Sequence, residues 1–223
     1  MRCTRRVQMM ALAFCLVEKS AAVMRRGRPV CCPAAFLSFK ADWSKAIIVM
    51  EISVTVRDPD PQFMPPVMIE TYDAWKAQCE NRPAPIFKHF RLDQLPVKAI
   101  SWCAVMNVQR NPVDFIYRFF GTGRGRLQGK EYTGFSVLMT SPQIFGQKGF
   151  DELIQVLNEN KPLHFETHFK LESEGKYDCL RMPLVDHEET ITQILSYTEG
   201  GANFSQMYRA YGTEMPNYEY HRE

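Results

Sequence analysis

The sequence predicts an α+β domain built on a five-stranded antiparallel sheet with its helices gathered on one face. Three observations lead there. Aromatic and β-branched runs with period-two alternation fall into two groups, over residues 100–120 and 163–198. The breaks within each group are too short for a parallel crossover. Between the groups lies one amphipathic segment long enough to be a helix.

Composition sets the outer limits. The chain has 223 residues, 45% hydrophobic and 23% charged, which suits one domain with extensions. Its 15 Phe, 9 Tyr and 3 Trp exclude disorder over most of the length, because their apolar area offsets chain entropy. No run approaches the roughly 18 apolar residues of a membrane-spanning helix. Charge is divided unevenly: residues 1–50 carry nine Lys/Arg against Glu18 and Asp42, leaving residues 51–223 at −5. A mildly acidic globular part argues against nucleic acid as a partner. Four of the seven cysteines (Cys3, Cys15, Cys31, Cys32) lie in the first 32 residues, and no spacing repeats. That is not a disulfide framework. Cys103 and Cys179 sit in apolar runs and read as small buried hydrophobes, so a reducing, cytoplasmic setting is expected.

The start resembles a short secretory signal, with Arg2, Arg5 and Arg6 before the run Val7–Val17. Gln8 interrupts that run, Glu18-Lys19 ends it, and no small-x-small cleavage site precedes Arg25-Arg26-Gly27-Arg28. Leu12-Ala13-Phe14-Cys15 misses a lipoprotein box at bulky Phe14. Residues 1–66 are therefore read as a disordered or non-native extension, ending in a stiff linker of Asp58-Pro59-Asp60-Pro61 and Pro65-Pro66. Residues 67–199 are expected to form the domain, and residues 200–223 a loosely packed tail.

Within the domain, Met68, Tyr72, Trp75 and Cys79 line one face of a helix over 68–79, which Asn81-Arg82-Pro83 ends. Leu92–Leu95 is a single turn. Ile100–Val108 reads as a strand with Ile100, Trp102, Ala104, Met106 and Val108 on one side. Asn111-Pro112 turns it into a second strand, Asp114–Phe120, making an antiparallel hairpin. A glycine-rich segment, 121–134, precedes a helix reaching about Asn158, with Phe150, Leu153, Ile154 and Leu157 as its buried stripe. Asn160-Lys161-Pro162 stops it. In Leu163–Glu172, Leu163, Phe165, Phe169 and Leu171 point inward and His164, Glu166, His168 and Lys170 outward. Ser173-Glu174-Gly175 and Asp186–Glu189 are turns before the strands Tyr177–Leu184 and Thr190–Thr198.

Motifs that could carry chemistry are few. Gly121-Thr122-Gly123-Arg124-Gly125-Arg126 follows a strand, but a dinucleotide fingerprint needs glycine where Arg126 stands. A phosphate loop ending at Gly129-Lys130 would need glycine at Arg124 and Ser or Thr at Glu131. These glycines read as turn geometry. His164, Glu166 and His168 share a strand face at chelating spacing; the same pattern is that of a solvated face continuing into Lys170 and Glu172, and no metal site is assigned. No nucleophile motif is present, and no catalytic residue is assigned.

Tyr117-Arg118-Phe119-Phe120-Gly121-Thr122, followed after six intervening residues by Gly129-Lys130-Glu131-Tyr132-Thr133-Gly134, resembles a PAS domain. It is most similar to the small stand-alone PAS proteins of alphaproteobacteria, whose pattern reads Tyr-Arg-apolar-apolar-Gly-Thr and then Gly-x-Asp-x-Thr-Gly. Glu131 replaces the Asp and is expected to cap the same turn; Gly123-Arg124-Gly125-Arg126 stands where a more apolar helical stretch is usual. The resemblance covers about residues 67–199, from Tyr72 and Trp75 through Arg181-Met182-Pro183-Leu184.

The resemblance implies a non-catalytic sensory or signalling module whose small ligand or cofactor, of unknown identity, sits between sheet and helices and shifts their packing. Strand parity nominates Trp102, Met106, Phe115, Tyr117, Phe119, Leu180 and Met182 as the pocket lining, with Gly121, Thr122, Gly129, Glu131, Thr133 and Gly134 as the turn motif. The flavin-reactive sequence Asn-Cys-Arg-Phe-Leu is absent, and so is a convincing haem histidine, His89 on the loop before the sheet being a weak candidate. A homodimer or signalling partner would dock through the 68–79 helix. The competing reading is a small cone-shaped lyase or isomerase with a buried carboxylate base. It needs an inward acid, whereas Asp114, Glu166, Glu172 and Asp178 alternate outward or lie at strand ends.

Overall fold

The computed structural model describes residues 51–141, 143–170 and 174–199. The readings of residues 1–50 and of the tail from Gly200 lie outside them, as do Leu171 and Glu172. The described chain is α+β, with all strand pairs antiparallel in one sheet of order β1-β4-β5-β6-β2-β3. The strands are β1 (Glu51–Arg57), β2 (Cys103–Arg110), β3 (Val113–Phe120), β4 (Leu163–Lys170), β5 (Glu174–Val185) and β6 (Ile191–Thr198). The helices are α1 (Pro66–Lys76), α2 (Val97–Ile100), α3 (Thr122–Gln128) and α4 (Gln143–Glu159), with single 3-10 turns at Leu92–Gln94 and Val137–Met139. None is long and apolar enough to cross a membrane.

Six strands replace the five expected. The additional one is β1, which pairs with β4 from Glu51↔Lys170 to Arg57↔His164 and lies upstream of the boundary expected at residue 67. Its sequence, Glu-Ile-Ser-Val-Thr-Val-Arg, alternates cleanly, so the period-two signal was present. Val54 and Val56 pack against the core.

The hairpin Asn111-Pro112 joins β2 and β3 as expected, through a cis peptide bond. β2 begins later than expected, at Cys103. Pro96 caps α2, and the Trp102 amide donates to Ala99 O at 2.8 Å, so Ile100 belongs to α2 and Trp102 to the turn after it rather than to the strand.

The outer face of the sheet, expected to be solvated, is covered as well. Residues paired across strands share a face. Leu163, Arg181, Ser196 and Ala104 form one cross-sheet row; His164, Leu180, Tyr197 and Cys103 form the next, on the opposite face. Every residue of both rows is buried, as is the whole run Tyr177–Val185. A strand covered on both sides reads as near-continuous apolar sequence, as Cys179-Leu180-Arg181-Met182-Pro183-Leu184-Val185 nearly does. α4 packs on the Arg181 side through Glu152. α1 also contacts β5, and its Trp75 Nε1 donates to the Pro183 carbonyl oxygen at 3.2 Å.

This uses up the apolar stripe of α1. The helix ends at Lys76, short of the expected 79; its Met68 and Trp75, and Cys79 just beyond its end, are buried in the protein's own core, and Tyr72 stacks on Trp75 at 5.8 Å. The face expected to receive a dimer mate or partner is therefore already covered.

On α4 the buried stripe is rotated from the predicted one. Leu153 is buried, but with Gly146, Gly149, Glu152 and Val156, while Phe150, Ile154 and Leu157 are half-buried at its flank. Gly146 marks the reason: a Cβ there would lie 2.8 Å from Val137 O, so the helix presses backbone against the preceding turn.

Candidate functional site

The expected pocket lining does not converge. By register Met106, Tyr117 and Phe115 lie on the Arg181 face of the sheet, with Phe115 edge-on to Phe150 of α4 at 5.3 Å. Leu180 and Met182 lie on the opposite face, as does half-buried Phe119, which pairs with Val105. Trp102 precedes β2 and stands beside Gly123 of α3. Parity failed because β2 starts three residues later than expected and the β2–β3 register shifts at Val105/Met106. Two surface depressions, of about 390 and 220 Å³, are lined by Phe90–Asp93 with Ile100 and by residues between Ala77 and Gln94. Neither touches any of the seven. His89, exposed, lines the smaller one and faces His187 at 5.7 Å.

The turn motif behaves largely as its chemistry suggests. Glu131 accepts hydrogen bonds from the Thr133 amide (2.9 Å) and from the Thr133 hydroxyl, so it caps the turn. Gly129 ends α3 at φ 66° and Gly134 sits at φ 86°, the left-handed region expected of both. Gly121 is different: its φ is −61°, and what it needs is room. A Cβ there would lie 2.6 Å from the Ser101 carbonyl carbon. Thr122 opens α3, whose glycines let it lie against Ser101 and Trp102.

That close approach carries Arg124 into the interior. Its guanidinium donates from Nε to Trp102 O at 2.9 Å and from Nη2 to Ser196 Oγ at 3.3 Å and to Thr198 Oγ1. Arg181, on β5, donates to the same Ser196 Oγ through Nη1 and to Glu152 Oε2 through Nε (3.0 Å) and Nη2. Lys148, one helical turn before Glu152, completes the group and sits 5.0 Å from the Tyr177 ring centroid. Burial works against the charge on Glu152, but Lys148 and Arg181 outweigh it and hold the carboxyl below its ordinary range. Desolvation, aided by neighbouring Arg181, lowers Arg124. This cluster joins α3, α4, β5 and β6, and sequence reasoning missed it. The inward acid, Glu152, is on a helix, where strand alternation gives no sign of it; its signal in the sequence is the Lys148–Glu152 spacing.

The strand acids differ from expectation in one case. Asp178 is 5% exposed and pairs with His164 Nε2 at 2.8 Å. Asp114 accepts from Ser136 Oγ at 2.7 Å. His164, expected in solvent, is fully buried because β1 and the covered outer face enclose it. It is thereby separated from exposed His168. Glu166 instead gathers His168 (2.9 Å), Lys176 (3.0 Å) and Arg57 (3.1 Å). Among the described residues no group could hold a metal ion. Burial pushes Glu166 up, but hydrogen bonds from His168 and Lys176 and the charge of Arg57 bring it down to about 2. A depressed folded pKa stabilises above the unfolded carboxylate value and is lost as pH falls through the folded one. Acid unfolding of Glu166→Gln should therefore lose the component that the parent shows between about pH 4.5 and 2. Superimposable stability profiles over that window would refute it.

Cys79, Cys103 and Cys179 are free and buried, as small hydrophobes are. Burial pushes the thiols of Cys79 and Cys103 up to about 11 and about 12, which leaves both unreactive near neutrality.

No protein-family model and no curated protein matches the sequence. Among solved structures the chain is similar to an RNA-binding light-oxygen-voltage receptor, at 7% identity and a TM-score of 0.36, covering 75% of this chain. It spans 43% of that receptor's chain. At that score the shared backbone is too small to define a fold or a function.

Proposed function

We propose that the chain is a PAS-type sensory or interaction module that binds a small ligand or a protein partner and catalyses nothing itself. The connectivity carries this reading. A two-strand hairpin (β2–β3) leads through a helical crossover (α3, α4) into three strands (β4–β5–β6), and β6 returns to pair beside β2. This order supports the clasp of sheet and helices that the Tyr117–Thr122 and Gly129–Gly134 motifs imply, with β1 added at the edge. The Arg124–Arg181–Glu152 network ties both crossover helices to the sheet, so a change of packing there is transmitted to either.

The lyase or isomerase alternative needs a carboxylate free to take a proton near neutral pH. Glu152 is held ionised by two cations, and Asp178 uses an oxygen on His164. Neither suits that role. Native mass spectrometry of the full chain purified from its own host tests the proposal. A single retained small molecule or a stoichiometric partner is the expected result; bare monomer would overturn it.

A further inference from the structure

Between the sheet and helices α3 and α4, three cations stand near one carboxylate, which pairs with two of them. Arg124 and Arg181 are buried and Lys148 is half-buried beside them, and Glu152 is the only acid paired with any of the three among the described residues. Glu152 bonds Lys148 and Arg181 and leaves Arg124 with none. A buried cation without a counter-charge is costly, and proteins rarely leave one so.

The hydrogen bonding points the same way. Both guanidinium groups converge on Ser196 Oγ, so a neutral hydroxyl stands between two like charges where an anionic oxygen would suit both. Arg124 is 7% exposed; its guanidinium bonds through Nε and Nη2, and Nη1, which makes no hydrogen bond among the described residues, is not among the buried unpartnered atoms and so keeps contact with the surface. The sheet residues around it are Ala104, Ser196, Thr198 and Cys179, none of them acidic, with Met106 and Ile194 forming the next apolar row.

Resting on the sensory reading above, we infer that the ligand of this interior is a small organic carboxylate, its head group held by Arg124 beside Arg181 and its apolar body laid along Met106 and Ile194. The planar fork of a guanidinium matches a carboxylate in two parallel hydrogen bonds. The apolar row beside it favours an organic acid over an inorganic oxyanion. The wall that yields is α3, a seven-residue helix between Gly121 and Gly129, and Arg124 moves with it.

Calorimetric titration of the full chain with sodium benzoate, sodium succinate and sodium phosphate, at ionic strength held constant with sodium chloride, tests this. The expected result is one-site saturable binding of benzoate or succinate that weakens about tenfold or more in Arg124→Gln. Arg124→Lys, which keeps the charge and loses the fork, should fall between. Hydrogen exchange of the unsubstituted chain reads the same event without a variant: amides of 122–128 and of β6 should slow on adding the carboxylate. Three results would overturn the inference: phosphate binding more tightly than either acid, no saturable binding up to about 10 mM, or equal affinity in folded Arg124→Gln. A neutral molecule retained in native mass spectrometry would also end it, while leaving the sensory reading intact.

Discussion

Glu152→Ala is expected to lower the unfolding free energy by about 3–5 kcal/mol, measured by urea denaturation. The carboxylate is the counter-charge for Lys148 and Arg181, and its side chain is only 5% exposed. Removing it leaves two cations in a desolvated interior already occupied by Arg124. Lysine can relieve part of the penalty by losing its proton, but a guanidinium cannot. The loss should therefore persist at every pH where the protein folds. Replacing the group together, as Lys148→Met, Glu152→Leu and Arg181→Met, should come out near neutral or even stabilising, because the desolvation cost disappears with the charges. A loss below about 1 kcal/mol in the single variant would show that water reaches the cluster.

Gly121→Ala carries the second large effect, a destabilisation of about 3 kcal/mol. Its added carbon would lie 2.6 Å from the Ser101 carbonyl carbon and 2.7 Å from Cys103 O, both backbone atoms that cannot swing aside. The same carbonyls accept from the amides of Gly123 (2.8 Å) and Gly121 (2.9 Å), so relief would break the bonds that dock α3. Gly125 supplies the contrast. A Cβ there would meet Lys130 O at 3.7 Å, ordinary contact, and alanine favours helix over glycine. Gly125→Ala should leave stability unchanged or raise it by up to about 1 kcal/mol. Equal thermal midpoints for the two variants would refute the distinction.

The hairpin at Asn111-Pro112, the stop at Asn160-Lys161-Pro162 and the left-handed glycines were legible because each is a local matter. Turn chemistry depends on the few residues that make the turn. The α4 segment was legible as a helix but not in its facing. Its buried side carries two glycines and a glutamate, and hydrophobicity cannot reveal a face whose contacts are backbone against backbone and charge against charge. β1 had the right alternation, and the different composition of the residues before it hid the strand.

Sequence alone determined the class of the domain, the antiparallel pairing within each strand group and the positions where only glycine fits the backbone angle. These follow from period, connection length and local dihedral sterics. Tertiary structure decided that both sheet faces are covered, that the expected pocket residues divide between those faces, and that Arg124, Arg181, Lys148 and Glu152 meet. Those outcomes depend on strand register and on which helix lies over which face. A shift of one residue inverts a strand's facing, and a charge 72 positions away, as Arg124 is from Ser196, leaves no local trace.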